Sequence, residues 1–213
     1  MHSLIVYAHP EPASFNAALR DAAIQTLRSY GEVGVSDLYL QGFNPVAGPG
    51  DFTRPVNPER LGYVHEQRHA AAARAYSADI LAEQDKVARA DLIVFQFPLW
   101  WYAPPAILKG WADRVLSYGF AYTDEAQFEC GLLRGKRALL SITTGGSEAE
   151  LRTDERHTGT VEQFLRPFGG GVLAFTGMTV LPQHIVYAAG SLGEASRRAR
   201  LRAWQGHLRT LAA

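Results

Sequence analysis

The segment Ala8-His9-Pro10-Glu11-Pro12-Ala13-Ser14-Phe15-Asn16-Ala17-Ala18-Leu19 brings an imidazole, a hydroxyl and a carboxamide to the point where an apolar run gives way to a helical pattern. The first N–H groups of a helix have no partner within it, so this junction is a candidate anion site. It is neither the dinucleotide fingerprint G-x-G-x-x-G nor the P-loop G-x-x-x-x-G-K-[ST], which removes the main support for a nicotinamide Rossmann domain or a nucleotide hydrolase. Two plainer readings stay open. Ser14 could serve only as a helix cap, and His9 alone fits a structural histidine.

Two further segments carry unusual residue types. Phe97-Pro98-Leu99-Trp100-Trp101-Tyr102-Ala103-Pro104-Pro105 sets three consecutive aromatic residues between prolines at the end of an apolar run. Such a wall exposes apolar surface unless something planar, a partner or the core covers it. Ser141-Ile142-Thr143-Thr144-Gly145-Gly146-Ser147 combines small residues with backbone donors, allowing a flat ligand close approach. Downstream, His157 stands before a predicted helix. It is by default a cap or surface residue, and only proximity to a ligand would make it an acid, a base or a charge stabiliser. Together the segments suit a flavin, with its phosphate at the first and its ring between the second and third.

The elements around these segments would place all three at one edge. Ser3 to Ala8 is a continuous apolar run, as in a strand buried on both faces of a parallel sheet. The pattern predicts a helix over Phe15 to Tyr30, a strand over Val33 to Leu40, a helix over Ala78 to Ala90 and a strand over Asp91 to Phe97. Pro105 to Ser117 is predicted helical, Arg137 to Thr143 a strand and Thr158 to Phe168 helical. The last strand is predicted over Gly171 to Val180, with a continuation to Tyr187 left open, and Leu192 to Leu211 is the closing helix. Gln41 to Tyr76 lacks periodicity and is broken by glycine and proline, so it reads as a functional or interface segment. Alternating strands and helices imply an α/β fold, a five-stranded parallel sheet covered on both faces, in one domain over 1–213. Ligands of such sheets bind beyond the carboxyl ends of the strands, where the three segments fall.

Composition narrows the partners. Lys+Arg and Asp+Glu both number 21 among 213 residues, so no net field favours nucleic acid or an anionic membrane. The single cysteine, Cys130, cannot pair within the chain, and no apolar run reaches the roughly 18 residues of a membrane helix. These features lead us to expect a cytoplasmic protein with no membrane insertion and no metal site. Arg197, Arg198, Arg200 and Arg202 are read as a solvated helix face, with a phosphate site as the alternative.

The segments HPEPASFNAAL, FQFPLWWYAPPAILKGWADRV and SITTGG, in this order and spacing, resemble the NAD(P)H:quinone oxidoreductases, the DT-diaphorase-like branch of the flavodoxin superfamily and in particular its short bacterial members. The resemblance implies a flavodoxin-like homodimer carrying FAD rather than FMN, with active sites at the subunit interface and NADPH or NADH as co-substrate. Residue by residue it implies that His9, Ser14, Phe15, Asn16 and Ala18 hold the diphosphate and adenosine side. Pro98, Leu99, Trp100, Trp101 and Tyr102 would line the ring, and Thr143, Thr144, Gly145 and Gly146 its pyrimidine edge. Gln67 would reach the partner's cofactor, and Tyr122 would close the acceptor pocket from the other subunit.

Three positions depart from the family pattern. Leu151 stands where a tyrosine pairs with the histidine matched by His157, which would then be the catalytic residue on its own. Asp124 and Met178 replace pocket aromatics, implying a wall more polar on one side and more pliable on the other. The implied chemistry is a two-electron, ping-pong transfer of hydride from the nicotinamide to a quinone-like acceptor by way of the flavin. The rival functions are a regulatory ancillary subunit of a potassium efflux system and an electron carrier of flavodoxin type, the second opposed by the balanced charge.

Overall fold

The computed structural model describes residues 1–153 and 159–212. Its centre is a parallel sheet built from β1 (Ser3–Tyr7), β2 (Val33–Asp37), β3 (Leu92–Pro98) and β4 (Arg137–Thr143), in the order β2-β1-β3-β4. All residues of β1 and β3 are buried, as expected of largely apolar strands covered on both faces, and the polar Gln96 of β3 is buried with them. Two short strands, β5 (Thr179–Val180) and β6 (His184–Val186), both pair with β4 in parallel. The sheet therefore has six strands rather than five. Pro182 lies between β5 and β6 and has no N–H to donate to the ladder, which splits the outer strand in two.

Helices cover both faces. On one side α1 (Phe15–Leu27) and α8 (Glu194–Ala212) pack with Ile5, Tyr7, Val94 and Leu139, and the indole N–H of Trp204 donates to the Leu19 carbonyl at 3.0 Å. On the other, α3 (Ala78–Arg89), α4 (Ala106–Val115) and α7 (Arg166–Phe168) cover the alternate residues Leu4, Val6, Phe95 and Leu140. Two short helices, α5 (Glu148–Thr153) and α6 (Val161–Phe164), follow β4.

Three departures from the sequence pattern have physical causes. Gly169–Leu173 is a π-helical turn, not the start of a strand, because β4 begins at Arg137, whose partner is Thr179, and leaves earlier residues nothing to pair with. The helix expected up to Phe168 starts at Val161, where the Thr160 hydroxyl and the Gln163 side chain form a capping box, and is interrupted at Leu165 ahead of Pro167. The segment without periodicity contains a helix, α2 (Tyr63–Ala73), which has no side-chain cap at its start and ends at Arg74 in a left-handed conformation.

That 41–76 segment is pinned by charge. Arg114 and Asp51 are both almost fully buried, and the guanidinium donates to Asp51 at 2.9 and 2.8 Å, to Asp79 at 2.7 Å and to the Asn44 carbonyl at 2.8 Å. The Tyr63 hydroxyl donates to the other Asp51 oxygen at 2.6 Å, and burial with that contact raises its pKa. Gly110 permits the close approach, since a Cβ there would lie 2.1 Å from the Pro45 oxygen.

Candidate functional site

A groove of about 450 Å³ opens at the carboxyl ends of β1, β3 and β4. It is lined by His9, Ser14, Phe15, Asn16, Pro98, Leu99, Trp100, Thr143, Thr144 and Gly145, all assigned to ligand binding above, together with Ala13, Ala189, Gly190 and Arg197.

The first loop prepares donors. The Ser14 hydroxyl accepts from the Ala17 amide at 3.1 Å and caps α1, so the capping role is real, and Phe15 and Asn16 of the first turn, whose amides it does not take, line the groove. The His9 Nδ1 accepts from the Glu11 amide at 3.0 Å, which puts the ring proton on Nε2, where it can be donated outward. Burial holds the His9 pKa below the usual histidine value against a smaller upward pull from Glu11, so the ring is neutral near pH 7.

The second loop is strained. Trp100 and Ala103 exchange backbone hydrogen bonds at 3.0 Å, closing a reversal whose two middle residues, Trp101 and Tyr102, have φ of 49° and 60°. Left-handed backbone at residues with a Cβ costs about 1 kcal/mol or more each. Hairpins of this shape normally use Asn-Gly, so aromatic residues here are held for what their rings do. Trp101 is 94% exposed and Trp100 42%, while the Tyr102 ring lies 4.7 Å from that of Phe164.

The third loop is stapled to the chain after β6. Ala188 and Ala189 amides donate to Gly146 and Thr144 carbonyls at 2.9 and 3.0 Å, and the Thr144 hydroxyl donates to the Gly146 carbonyl at 2.7 Å. This brings Ala189 and Gly190 into the groove. A Cβ at Gly145 or Gly190 would meet nothing within 4 Å, so their missing side chains leave open space for a ligand.

Arg197 is the cation of the lining. Its Nε donates to the Leu192 carbonyl at 2.9 Å, and its guanidinium stands 5.8 Å from the Phe15 ring. Grouping it with Arg198, Arg200 and Arg202 hid it, because those three are exposed. The available signal was helical spacing: Arg197 shares a face with Leu201, Trp204 and Leu208, which pack toward the sheet.

Other assigned residues lie elsewhere. Ala18 is half-buried where α1 meets α8, beside Arg198. Gln67 is buried, its side-chain oxygen accepting from the Tyr118 amide at 3.2 Å. Tyr122 packs between Tyr118 and Phe175, with its pKa raised by burial and then by Asp124. Asp124 accepts from Arg68 at 2.7 Å and from the Tyr118 hydroxyl at 3.2 Å. Met178 is a core residue, 3% exposed. Trp101, Tyr102 and Gly146 flank the groove in sequence without lining it. Leu151 packs on the core edge near Gly146, and His157 lies outside the described residues. Gln67, Arg68, Tyr118, Tyr122 and Asp124 thus form a second cluster, separate from the groove.

A family model described as the flavodoxin-like fold matches residues 1–208. Ribosyldihydronicotinamide dehydrogenase [quinone] of Homo sapiens is 45% identical over 210 residues, 98% of this chain and 90% of that protein. This chain belongs to the flavodoxin-like quinone reductases. It is an enzyme of that family, an oxidoreductase. NAD(P)H dehydrogenase [quinone] 1 of Rattus norvegicus is 43% identical, with 98% of this quinone reductase and 77% of the relative covered. The crystal structure of NAD(P)H:quinone oxidoreductase from Methanothermobacter marburgensis superposes with a TM-score of 0.78 at 26% identity, covering 100% of this chain and 98% of that one. Among the described residues no helix is long and apolar enough to cross a membrane, and no group of side chains is arranged to hold a metal ion.

Proposed function

We propose that this chain is an FAD-dependent NAD(P)H:quinone oxidoreductase that works by ping-pong transfer of two electrons. The observation that carries the reading is the groove itself. The start of α1 and Arg197 in the groove lining suit a diphosphate, and Trp100 shares the groove with Gly145 and Gly190, whose missing side chains leave room for a flat ring. Bound there, a flavin would supply the hydride relay between nicotinamide and acceptor. The chain's own contributions are the Nε2–H of His9, the Gly145 and Gly146 amides beside developing negative charge, and the Trp100 ring as an apolar wall of the groove. His157 is proposed to stabilise that charge without help from position 151, since leucine cannot donate.

The chain is proposed to work in the cytoplasm and as a homodimer, and exposed apolar residues support the second. Trp100, Trp101, Val56, Leu61, Val64, Phe128 and Leu132 are exposed, and a second copy would cover such residues while bringing the Gln67–Asp124 cluster toward the groove of its partner. The acceptor class is quinones and related aromatic compounds.

The test is steady-state turnover of the purified chain alone, varying NADPH or NADH against a soluble benzoquinone. Parallel double-reciprocal lines are expected. Intersecting lines would exclude the ping-pong order, and no turnover until another protein is added would favour a regulatory subunit.

A further inference from the structure

Three buried side chains on three elements form a polar relay beneath the groove. Gln96, on β3 and 1% exposed, donates through Nε2 to the Asn16 side-chain oxygen at 2.6 Å. Asn16, in the first turn of α1, donates through Nδ2 to the Thr143 hydroxyl oxygen at 2.6 Å. Thr143 closes β4 and, with Asn16, lines the groove; Gln96 does not.

The direction of the relay decides what the groove offers. A threonine hydroxyl has one hydrogen to give and lone pairs to receive. Because Asn16 donates to it, Thr143 keeps its own hydrogen, and among the described residues that hydrogen reaches no acceptor. Were Asn16 turned about its Cβ–Cγ bond, its oxygen would face Thr143 and take the hydroxyl hydrogen inward. Asn16 cannot make that turn alone, because its Nδ2 would then meet Gln96 Nε2, donor against donor, and turning both amides would bury the Gln96 NH2 group in the place where its oxygen has no partner. The other Gln96 atom, Oε1, is buried and has no partner among the described residues, so the residue makes this contact at the cost of an unmet acceptor.

We propose that Gln96 is a positioning residue for the ligand groove: by fixing the Asn16 amide it keeps the Thr143 hydroxyl available as a donor to the bound flavin. The proposal rests on the flavin reading above. Gln96 touches no ligand itself and acts through Asn16 and Thr143.

The test is titration of flavin-free protein with FAD and, separately, FMN, followed by fluorescence quenching. Gln96→Met keeps the side-chain volume and removes the amide; Thr143→Val removes the donor; Thr143→Ser retains it. One hydrogen bond is worth about 5- to 10-fold in affinity, so Gln96→Met and Thr143→Val should each weaken binding by that factor. The double variant should bind no more weakly than the poorer single, and Thr143→Ser should stay within about 2-fold of the starting protein, because coupled residues do not contribute independently. Thermal melts of the flavin-free proteins establish that each variant is folded.

Unchanged affinity in Gln96→Met, or losses that multiply in the double variant, would overturn the proposal. If Gln96→Met does not fold, Thr143→Val decides: unchanged flavin affinity there means that the hydroxyl is not used, and the proposal fails. Absence of flavin binding by the unaltered protein would overturn the flavin reading and this inference with it, whereas tight binding insensitive to both positions overturns the relay alone.

Discussion

The groove and the ion network under the 41–76 segment use similar polar groups to opposite ends. Around Arg114 the donors are consumed internally by Asp51, Asp79 and the Asn44 carbonyl. In the groove each contact leaves a valence over: His9 accepts at Nδ1 and keeps Nε2–H, Ser14 caps α1 and leaves amides behind it, and Thr143 accepts from Asn16 and keeps its hydrogen. The backbone follows the same division. Strained aromatic residues follow the groove-lining Trp100 in the loop after β3, while the buried network is flanked by Gly110, which allows close packing. The closed arrangement around Arg114 holds the 41–76 segment in place, and the open one leaves donors for a ligand in the groove.

The largest expected effect tests the closed region. Arg114→Met would leave the Asp51 carboxylate buried without its partner, costing about 3 to 5 kcal/mol in urea unfolding. Flavin affinity of the protein that remains folded should be unchanged; a comparable loss of affinity would mean that the two regions are not separate.

A second closed-region test uses pH. His184, on β6, stacks on Trp204 at 4.2 Å, meets the Ser141 hydroxyl at 3.0 Å, and has His207 and Arg200 nearby. Burial first, then those neighbours, push its pKa down to about 4. A histidine held neutral in the folded state but able to take a proton when unfolded loses stability as pH falls from about 6.5 to about 4, by about 3 kcal/mol. Urea midpoints measured across that range should fall with acid, and His184→Gln should flatten the slope. An identical slope in the variant would assign the acid loss to other groups.

In the open region the effects should appear in binding. Arg197→Met should weaken FAD binding by about 10-fold at low salt, less at high salt, with little change in melting temperature. Loss of stability without loss of affinity would make Arg197 a helix residue only. Trp101→Asn should do the reverse of a usual surface change. It relieves left-handed strain and should stabilise the flavin-free protein by about 1 kcal/mol while weakening acceptor binding. A destabilised variant would show that the Trp101 ring packs on something in the free protein.

Much of this division was legible in the residues. β1, β3 and β4 are largely apolar runs, and the loops after them carry the residue types that line the groove. The relay was not legible, because Gln96 reads as one polar residue in a buried strand and its partners are 80 positions away on α1 and, beyond Asn16, on β4. Arg197 was obscured by neighbouring arginines, and Ala189 and Gly190 enter only because backbone bonds staple their loop to Thr144. The missed helix α2 has neither a strong apolar stripe nor a cap, and it is held by tertiary contacts such as Glu66, whose carboxylate accepts the Val56 and Asn57 amides at 2.7 and 3.0 Å.

The central claim is that the groove holds a flavin which the nicotinamide reduces. Its most direct test is an anaerobic titration of the purified protein with NADPH and then NADH, recording the visible spectrum, with the released cofactor identified by mass. A yellow protein carrying one FAD per chain, bleached by one equivalent of reductant, is predicted. A colourless protein that takes up neither FAD nor FMN, or a flavin that neither nicotinamide bleaches, would contradict it.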